Sequence, residues 1–399
     1  MKILVVCQFY YPENFAITNI CEDLVKLGND VTVLTGKPNY GYGYILPEYK
    51  KVNYEVINGV KVHRVNLIPR KKSRLSIINN YLSFWSNSKK WIRNCKENYD
   101  IVYSMSLSPV TILAAGNLYK KKHHVKHVVH CVDLWPESVL VTHAVRKKSL
   151  LYRILYKWSK KLYVKVDHVI IGSPSFKDYF KEVLKLEDKK MTFIPQPSLV
   201  ESSDIAPYGY EKGINILYCG NLGKIQLTEM IPDAMKLIDN KDIKFHIIGM
   251  GPMSDLLEKK IKENNLEDRV YYHGPIPAAK AAAYFKSADA LYVSLKNDGY
   301  VGKTIPNKLV MYMSFKKPII AMLEGDGKEV LKQSKGAIIV NEDAKSLADG
   351  IMELAKLSKE EKEKLGHNNQ VYFHNHFSVE TIGKEINQVL FDELNKKFI

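Results

Sequence analysis

The sequence predicts an α/β protein with two domains, each built on a largely parallel sheet. Short apolar runs that suit buried strands alternate with amphipathic segments that suit helices through both halves of the chain. The alternation stops at a stretch rich in proline and serine near mid-chain and then restarts. The length of 399 residues is ample for two such domains.

The interruption divides the chain into four predicted segments. We expect a first domain at residues 1–197, a linker at residues 198–213, a second domain at residues 214–377 and a final helix at residues 378–399. Linkers between domains are typically polar and rich in proline, as this one is.

The first domain opens with a strand, a helix and a second strand. Residues 2–6 form an apolar run, Asn14 can cap a helix that ends before Gly28, and residues 31–34 form the next apolar run. This order predicts a parallel unit. The rest of the domain is predicted to contain strands at 54–57, 60–65, 100–105, 125–132, 168–172 and 191–194, and helices at 109–119, at 145–165 and from 173 onward.

The second domain repeats this alternation. Its predicted strands lie at 214–219, 243–248, 270–272, 290–295, 318–322 and 337–340, and its predicted helices at 253–264, 278–286, 306–315 and 344–355. Ser358 predicts the N-cap of a helix towards residue 377, and a last helix follows at residues 381–397.

The composition points to an anionic partner. The formal net charge is +16, which favours nucleic acid, a phosphorylated substrate or acidic lipid, and no nucleic-acid-binding module is visible. No apolar run is long enough to span a membrane, and no signal peptide is expected. The five cysteines are scattered and form no Cys-x-x-Cys pair, so we expect no zinc site and no disulfide framework. A cytoplasmic location fits best.

Two stretches combine basic and apolar residues in the first half. Residues 70–96 contain no acidic residue and place leucine, isoleucine and aromatic side chains between basic ends, and residues 145–165 repeat the pattern. We expect Arg70–Lys96 and Val145–Lys165 to contact an anionic membrane surface. The alternative is a pair of core helices with solvated lysines.

A glycine turn follows the first strand of the second domain. Gly220, Asn221, Gly223 and Lys224 lie between an apolar run and a helix-compatible segment. Such a turn presents backbone N–H groups and a helix N-terminus to an anion, so it predicts a phosphate site. The alternative is a plain turn from strand to helix.

A second predicted anion site lies further along the same domain. Pro306 suits the first turn of a helix, and Lys303, Thr304, Asn307 and Lys308 surround it. Two such helix starts in one domain favour a diphosphate. The alternative is an ordinary basic surface turn.

The segment from 130 to 138 reads His-Cys-Val-Asp-Leu-Trp-Pro-Glu-Ser and follows a predicted strand. We expect it at the cleft between the domains, where Asp133 or His130 positions an acceptor hydroxyl and takes its proton. Glu137 is expected to do the same or to hold a sugar hydroxyl. The alternative is that Asp133 and Glu137 cap the following helix.

No Asp-x-Asp triplet occurs, so we expect no divalent metal at a nucleotide-sugar site. Lysine and helix dipoles would then have to balance the diphosphate charge. Walker A and Gly-x-Ser-x-Gly motifs are absent too.

Together these motifs resemble family 4 of the GT-B glycosyltransferases, and the likeness covers nearly the whole chain. The matching stretches are Gln8, Tyr11-Pro12-Glu13-Asn14-Phe15, Thr35-Gly36-Lys37-Pro38-Asn39-Tyr40, Asp133-Leu134-Trp135-Pro136-Glu137-Ser138, Gly220-Asn221-Leu222-Gly223-Lys224-Ile225-Gln226, Gly249-Met250-Gly251 and Pro306-Asn307-Lys308. The Asp-Leu-Trp-Pro-Glu-Ser and Gly-Asn-Leu-Gly runs resemble the L-fucosamine transferase subgroup of bacterial capsule and O-antigen synthesis.

The resemblance implies two facing Rossmann-like domains, with the C-terminal helix crossing back to the first. It implies a UDP-sugar donor on the second domain, with Gly249 and Gly251 among its contacts. It also implies a lipid-linked acceptor on the first domain, and transfer with retention of configuration. Two family features are missing. Lys303 and Met311 occupy the usual places of two glutamates, and Asn14-Phe15-Ala16-Ile17 replaces a glycine pair. Since Met311 is a poor acceptor for a ribose hydroxyl, that part of donor binding is left open.

The predicted function is a retaining, metal-independent glycosyltransferase at the inner face of the plasma membrane. It would move a sugar, such as N-acetyl-L-fucosamine, from UDP to a polyprenyl-diphosphate-linked saccharide, with no cofactor besides this co-substrate. Two alternatives stay open, a nucleotide-sugar 2-epimerase of the same fold and an inactive partner subunit docked on the membrane. Epimerisation without an acceptor would identify the first, and a lack of UDP binding the second.

Overall fold

The computed structural model describes residues 1–71, 73–141, 145–198 and 206–396. These residues form two compact units. Unit 1 comprises Met1–Pro197 and Val379–Ile399, and unit 2 comprises Ser198–Ser378. Lys72 of the predicted basic surface and positions 199–205 of the predicted linker lie outside the described residues, as do positions 397–399.

Unit 1 contains an eight-stranded sheet in the order β3-β4-β2-β1-β5-β6-β7-β8. The strands are β1 (Lys2–Val6), β2 (Asp30–Gly36), β3 (Tyr54–Ile57), β4 (Val60–Val65), β5 (Ile101–Ser106), β6 (Lys126–Cys131), β7 (His168–Ile171) and β8 (Met191–Phe193). Among the strands that the structure describes in this sheet, only the β3–β4 pair is antiparallel. Ile3 and Val5 pack in one apolar cluster and Leu4 and Val6 in another, so both faces of the sheet are covered.

The helices described in the first part of unit 1 are α1 (Ile17–Lys26), α2 (Arg74–Asn94), α3 (Leu113–His123), α4 (Glu137–Val141), α5 (Leu150–Val164) and α6 (Phe176–Asp178). Several helix boundaries differ from the predictions. The helix predicted at 109–119 is a 3-10 turn at Val110–Ile112 followed by α3. Asn14 does not cap α1, which begins at Ile17 without a side-chain cap. The helix predicted from residue 145 begins at Leu150, where Ser149 caps it. The helix predicted from residue 173 is a short α6 followed by a π-helical turn at Tyr179–Val183.

Unit 2 contains a six-stranded sheet in the order β11-β10-β9-β12-β13-β14, and its paired strands are parallel. The strands are β9 (Ile214–Cys219), β10 (Ile243–Ile248), β11 (Val270–Gly274), β12 (Ala290–Ser294), β13 (Ile319–Met322) and β14 (Ala337–Ile339). The central strand β9 is buried on both faces, because Ile216 and Tyr218 pack in one apolar cluster and Leu217 in the other. The predicted α/β organisation with parallel sheets is confirmed in both units.

The helices described in unit 2 are α7 (Met230–Lys236), α8 (Ser254–Glu263), α9 (Ala278–Ser287), α10 (Asn307–Ser314), α11 (Gly325–Ser334), α12 (Ala344–Lys356) and α13 (Lys359–His376). Ser358 caps α13 as predicted, in a capping box with Glu361. Helix α11 was not predicted, because its first turn reads Gly-Asp-Gly, a composition typical of loops.

The last helix, α14 (Val379–Asn395), packs in unit 1. Ile382, Ile386 and Leu390 join the apolar cluster that contains β1. At its end, the buried carboxylate of Glu393 accepts hydrogen bonds from His168 and Lys190. In the part of the chain that the structure describes, no helix is long and apolar enough to cross a lipid bilayer.

Candidate functional site

The carboxyl ends of β9 and β10 in unit 2 approach each other through glycines. Gly249 has a φ of +141°, and a Cβ atom there would overlap the carbonyl oxygen of Gly220. A Cβ at Gly251 would overlap the carbonyl oxygen of Leu222, and the Leu222 N–H donates to Met250. The two turns are therefore interlocked at the edge of the sheet where ligands bind in parallel α/β folds.

The glycine turn after β9 uses much of its own hydrogen-bonding capacity. The N–H of Gly220 donates to Ile248, and the N–H of Gly223 donates to the side chain of Gln226. The next three residues, Lys224–Gln226, form one 3-10 turn, and α7 begins only at Met230. The helix expected after the glycine turn is therefore reduced to this single 3-10 turn, which ends where Leu227 adopts a left-handed conformation with a φ of +50°.

The positively charged side chain of Lys308, on α10, lies beside this turn. Pro306 is the N-cap of α10, and no side chain caps the helix. The Tyr312 hydroxyl donates to the carbonyl oxygen of Cys219 at 3.1 Å and accepts from its N–H at 2.8 Å, which fixes α10 to the end of β9. Lys308 then lies against Gly220, where a Cβ would come within 2.6 Å of the lysine Cε.

The ammonium group of Lys308 is buried and unpaired. Its Nζ lies 3.5 Å from the centroid of the Tyr218 ring, and among the described residues it has no hydrogen-bond partner. Burial lowers the pKa of Lys308 to about 7, because the charged form loses its hydration. A buried cation without a counter-charge is costly, so an anion bound here would be stabilised strongly.

Helix α11 also begins beside this site. A Cβ at Gly327 would lie 3.3 Å from both the Pro306 ring and the carbonyl oxygen of Thr304. Gly325 has a φ of +63° and packs against the Lys303 backbone. The first turns of α10 and α11 therefore lie together, a pair that the sequence analysis missed. The contact is tertiary, and only the glycines at 325 and 327 hint at it.

The structure brings together only some of the predicted donor residues. Gly220, Gly249 and Lys308 are in close contact, and Gly251 lies beside the side chain of Asn221. Lys224, Lys303 and Asn307 are exposed, while the Thr304 hydroxyl donates to Val301.

In unit 1, His130 lies in the core rather than on a surface. Its Nδ1 is 3.0 Å from the Tyr103 hydroxyl, and its Nε2 is 3.0 Å from the carbonyl oxygen of Ile194. Because a carbonyl can only accept, Nε2 carries the proton and Nδ1 accepts. Burial lowers the pKa of His130 to about 4. Both ring nitrogens are therefore used within unit 1, and neither is left for an acceptor hydroxyl.

Asp133 and Glu137 follow β6 but differ in their surroundings. Asp133 is half-buried, and burial raises its pKa to about 6, although hydrogen bonds from Ser138 and the Leu134 backbone oppose the shift. Glu137 is buried at the start of α4 and accepts a 2.6 Å hydrogen bond from Tyr152 on α5. Asp133 is therefore suited to hold a hydroxyl proton near neutral pH, whereas Glu137 joins two helices.

Comparisons with known proteins agree with this architecture. A family model described as Glycosyltransferase Family 4 matches residues 15–197, and one described as Glycosyl transferases group 1 matches residues 213–356. The probable glycosyltransferase WbjE of Pseudomonas aeruginosa is 26% identical over 237 residues, which are 56% of this chain and 58% of that protein. The chain thus matches less than two thirds of that relative. The uncharacterized glycosyltransferase MJ1069 of Methanocaldococcus jannaschii is 25% identical over 383 residues, 89% of each chain.

Solved structures share the fold at low sequence identity. Sucrose-phosphate synthase from Thermosynechococcus elongatus has a TM-score of 0.70 at 18% identity, covering 98% of both chains. Anabaena Alr3699/HepE in complex with UDP-glucose has a TM-score of 0.66 at 14% identity, covering 98% of this chain and 100% of that one.

The Lys308 site predicts that affinity for UDP depends on pH. A lysine with a pKa of about 7 is charged below that pH and loses its proton above it. One pH unit above this pKa, about one tenth of the Lys308 side chains are charged, so the Kd for UDP should rise about tenfold between pH 6 and pH 8. Titration calorimetry should show this rise in the wild type relative to Lys308→Met, whose profile reports the titration of the UDP phosphate itself. Lys303→Met, which removes an exposed lysine nearby, should behave as the wild type does. A wild-type Kd that does not rise over this range would contradict the assignment.

Proposed function

Because this chain belongs to the GT-B glycosyltransferases, with a family 4 domain and a group 1 domain, we propose that it transfers a sugar from UDP to a polyprenyl-diphosphate-linked saccharide. The buried, unpaired ammonium of Lys308 beside Gly220 carries the donor half of this proposal, because it requires an anion. The Anabaena protein of the same fold binds UDP and UDP-glucose.

In the proposed transfer, the protein must stabilise the negative charge that develops on the leaving group. As the glycosidic bond to the departing UDP breaks, negative charge grows on the β-phosphate oxygens. Lys308 and the uncapped N-terminus of α10 are fixed before the reaction and stabilise that charge without reorganising. We propose that this positive charge replaces a divalent metal, so that transfer proceeds in the presence of EDTA.

The acceptor half is proposed for unit 1. Asp133, with a pKa of about 6, is ionised at neutral pH and can accept a hydrogen bond from the attacking hydroxyl. We do not include His130, whose nitrogens are both used in the core. Retention of configuration, N-acetyl-L-fucosamine as the sugar, and a role in capsule or O-antigen synthesis complete the proposal, and they rest on the motif resemblance.

Two helices of unit 1 support the proposed contact with a membrane. Their exposed apolar side chains include Leu75 (68% exposed), Ile78 (51%) and Leu82 (43%) on α2, and Leu150 (73%), Leu151 (51%) and Ile154 (53%) on α5. Trp85 of α2 contacts Trp158 of α5, with ring centroids 5.8 Å apart. Ile78, Leu82 and Trp85 share one helix face, as do Leu151, Ile154 and Trp158, so the two apolar stripes adjoin.

The lysine and arginine side chains around these stripes also support a contact with anionic lipid. Within the described residues, no lysine or arginine at 70–96 or 145–165 pairs with a carboxylate. Unpaired cations beside exposed apolar side chains are typical of surfaces that lie on anionic lipid. We propose that unit 1 binds the inner face of the plasma membrane through this surface.

A transfer assay tests the enzymatic proposal. Wild-type protein, a panel of UDP-sugars and a short-chain polyprenyl-diphosphate saccharide should release UDP and form a longer saccharide. Asp133→Asn should lower kcat at least about 100-fold while binding UDP normally, because it removes the group that accepts the hydroxyl proton. Glu182→Gln, a change on another segment of unit 1, should have little effect. No product with any UDP-sugar would contradict the proposal, and a changed sugar formed without acceptor would indicate an epimerase.

A vesicle assay tests the membrane proposal. Sedimentation with vesicles containing phosphatidylglycerol should be strong at low salt and weak at high salt, because exposed charges are screened. The double variant Leu150→Ser/Ile154→Ser should bind several-fold less than the wild type, since it loses apolar area that would enter the bilayer. Leu237→Ser/Leu256→Ser removes exposed apolar side chains from unit 2 and should bind normally. Equal binding by all three proteins would refute the assigned surface.

A further inference from the structure

Arg70 lies just before α2 in a cradle of aromatic rings. Its guanidinium carbon is 5.1 Å from the centroid of the Tyr40 ring and 5.5 Å from that of the Tyr81 ring. Its Nη1 donates a 3.0 Å hydrogen bond to the Tyr81 hydroxyl. In the described parts of the chain, no carboxylate lies within ion-pair distance of Arg70. This half-buried cation is therefore held by neutral groups and keeps its charge free for a ligand.

The backbone beneath Arg70 is fixed by a buried amide network. The Arg70 N–H donates to the Asn39 side chain at 2.9 Å, and Asn80 donates to the same oxygen at 3.1 Å. Gln8, at the end of β1, donates to Asn80 at 2.7 Å. All three amide side chains are buried. Asn80 also donates to the carbonyl oxygen of Ile68 at 2.7 Å, so these hydrogen bonds hold the backbone of Arg70 in one place relative to the sheet.

The Tyr40 side of the cradle is fixed as well. The Glu13 carboxylate accepts hydrogen bonds from the N–H groups of Asn39 and Tyr40. The Tyr40 ring packs edge-on against Phe9 and Phe15, with centroids 4.9 and 5.2 Å away. Yet Tyr40 remains 43% exposed, so the cradle is open to solvent on one side.

The cradle is close to Asp133 and to the proposed membrane surface of α2. Tyr81, which lines it, is close enough to Asp133 for that carboxylate to contribute to the raised pKa of the tyrosine, after burial. Arg70 also directly precedes α2, whose exposed Leu75 and Ile78 belong to the proposed membrane surface. Arg70 is therefore near the exposed apolar side chains of α2 and, through Tyr81, near the Asp133 carboxylate.

We propose that Arg70, between Tyr40 and Tyr81, binds a phosphate of the lipid-linked acceptor. In such an acceptor the phosphates join the lipid to the saccharide, so a phosphate-binding group is expected near both a lipid-contacting surface and a hydroxyl-binding carboxylate. A guanidinium offers a planar pair of N–H donors that matches phosphate oxygens. This inference rests on the proposed function, since it assigns the acceptor side of that reaction.

Binding of farnesyl diphosphate in neutral detergent micelles tests this assignment on the full chain. Saturating UDP occupies the Lys308 site, so the signal reports on other sites. Arg70→Gln should weaken binding at least about tenfold, as expected for a lost charged hydrogen bond. Lys71→Gln is the matched control, because it removes the same charge from the adjacent exposed residue and should bind nearly as the wild type does. Farnesol, which lacks phosphate, should bind all three proteins equally weakly.

Three results would overturn the assignment. One is equal weakening by both variants, which would indicate general attraction by basic charge. Another is failure of the wild type to bind farnesyl diphosphate. The third is a specific loss of phosphatidylglycerol vesicle binding in Arg70→Gln, which would make bilayer headgroups the ligand. Unchanged circular dichroism and thermal unfolding show that unit 1 of each variant is folded, because the proposed UDP site lies in unit 2 and does not report on unit 1. The transfer assay uses no Arg70 variant, so failure of the proposed function is distinguishable from failure of the Arg70 assignment.

Discussion

The ammonium of Lys308, which has no counter-charge among the described residues, is the constraint on which the proposed donor site depends. Desolvating a cation is unfavourable, and the ring of Tyr218 offsets only part of that cost. The surrounding structure nevertheless keeps the lysine in place. Tyr312 ties α10 to the end of β9, and Gly220 leaves the space that the lysine side chain fills. A bound phosphate would supply a counter-charge, so the cost of burying the Lys308 ammonium favours binding of an anion.

Unit 1 also contains charged side chains with reduced access to water, among them a carboxylate and a cation. Asp133 is a carboxylate with reduced access to water, and its pKa is raised towards neutrality for that reason. Arg70 is a cation held by rings and hydroxyls instead of carboxylates. Arg70 follows β4 and Asp133 follows β6. Both lie in loops at the edge of the sheet where ligands bind in parallel α/β folds. His130 shows the contrast, since hydrogen bonds inside the core satisfy it completely.

Sequence patterns predicted the strands well because most of the strands are buried on both faces. Such strands read as short, continuous apolar runs, as residues 3–6 of β1 and Ile319–Met322 do. The glycines of the donor turn and Lys308 were also found, because close backbone approach requires glycine and a helix start at Pro306 has a clear signature.

The remaining features depend on contacts that the local sequence does not encode. The N–H of Gly223 donates a hydrogen bond to the side chain of Gln226, and no local sequence pattern indicated this contact. Helix α11 was missed because its start is stabilised by packing against Thr304 and Pro306 rather than by propensity. The burial of His130 depends on Tyr103 and Ile194, which are distant in sequence.

The proposed function requires Lys308 to be a buried cation that binds the diphosphate of the donor. Nuclear magnetic resonance of isotope-labelled lysine side chains measures this directly, with Lys308→Met identifying the signal. The pKa of Lys308 should lie near 7 in the free protein and rise when UDP binds, because a bound phosphate favours the charged form. An ordinary lysine pKa of about 10.4 that UDP leaves unchanged would contradict the account.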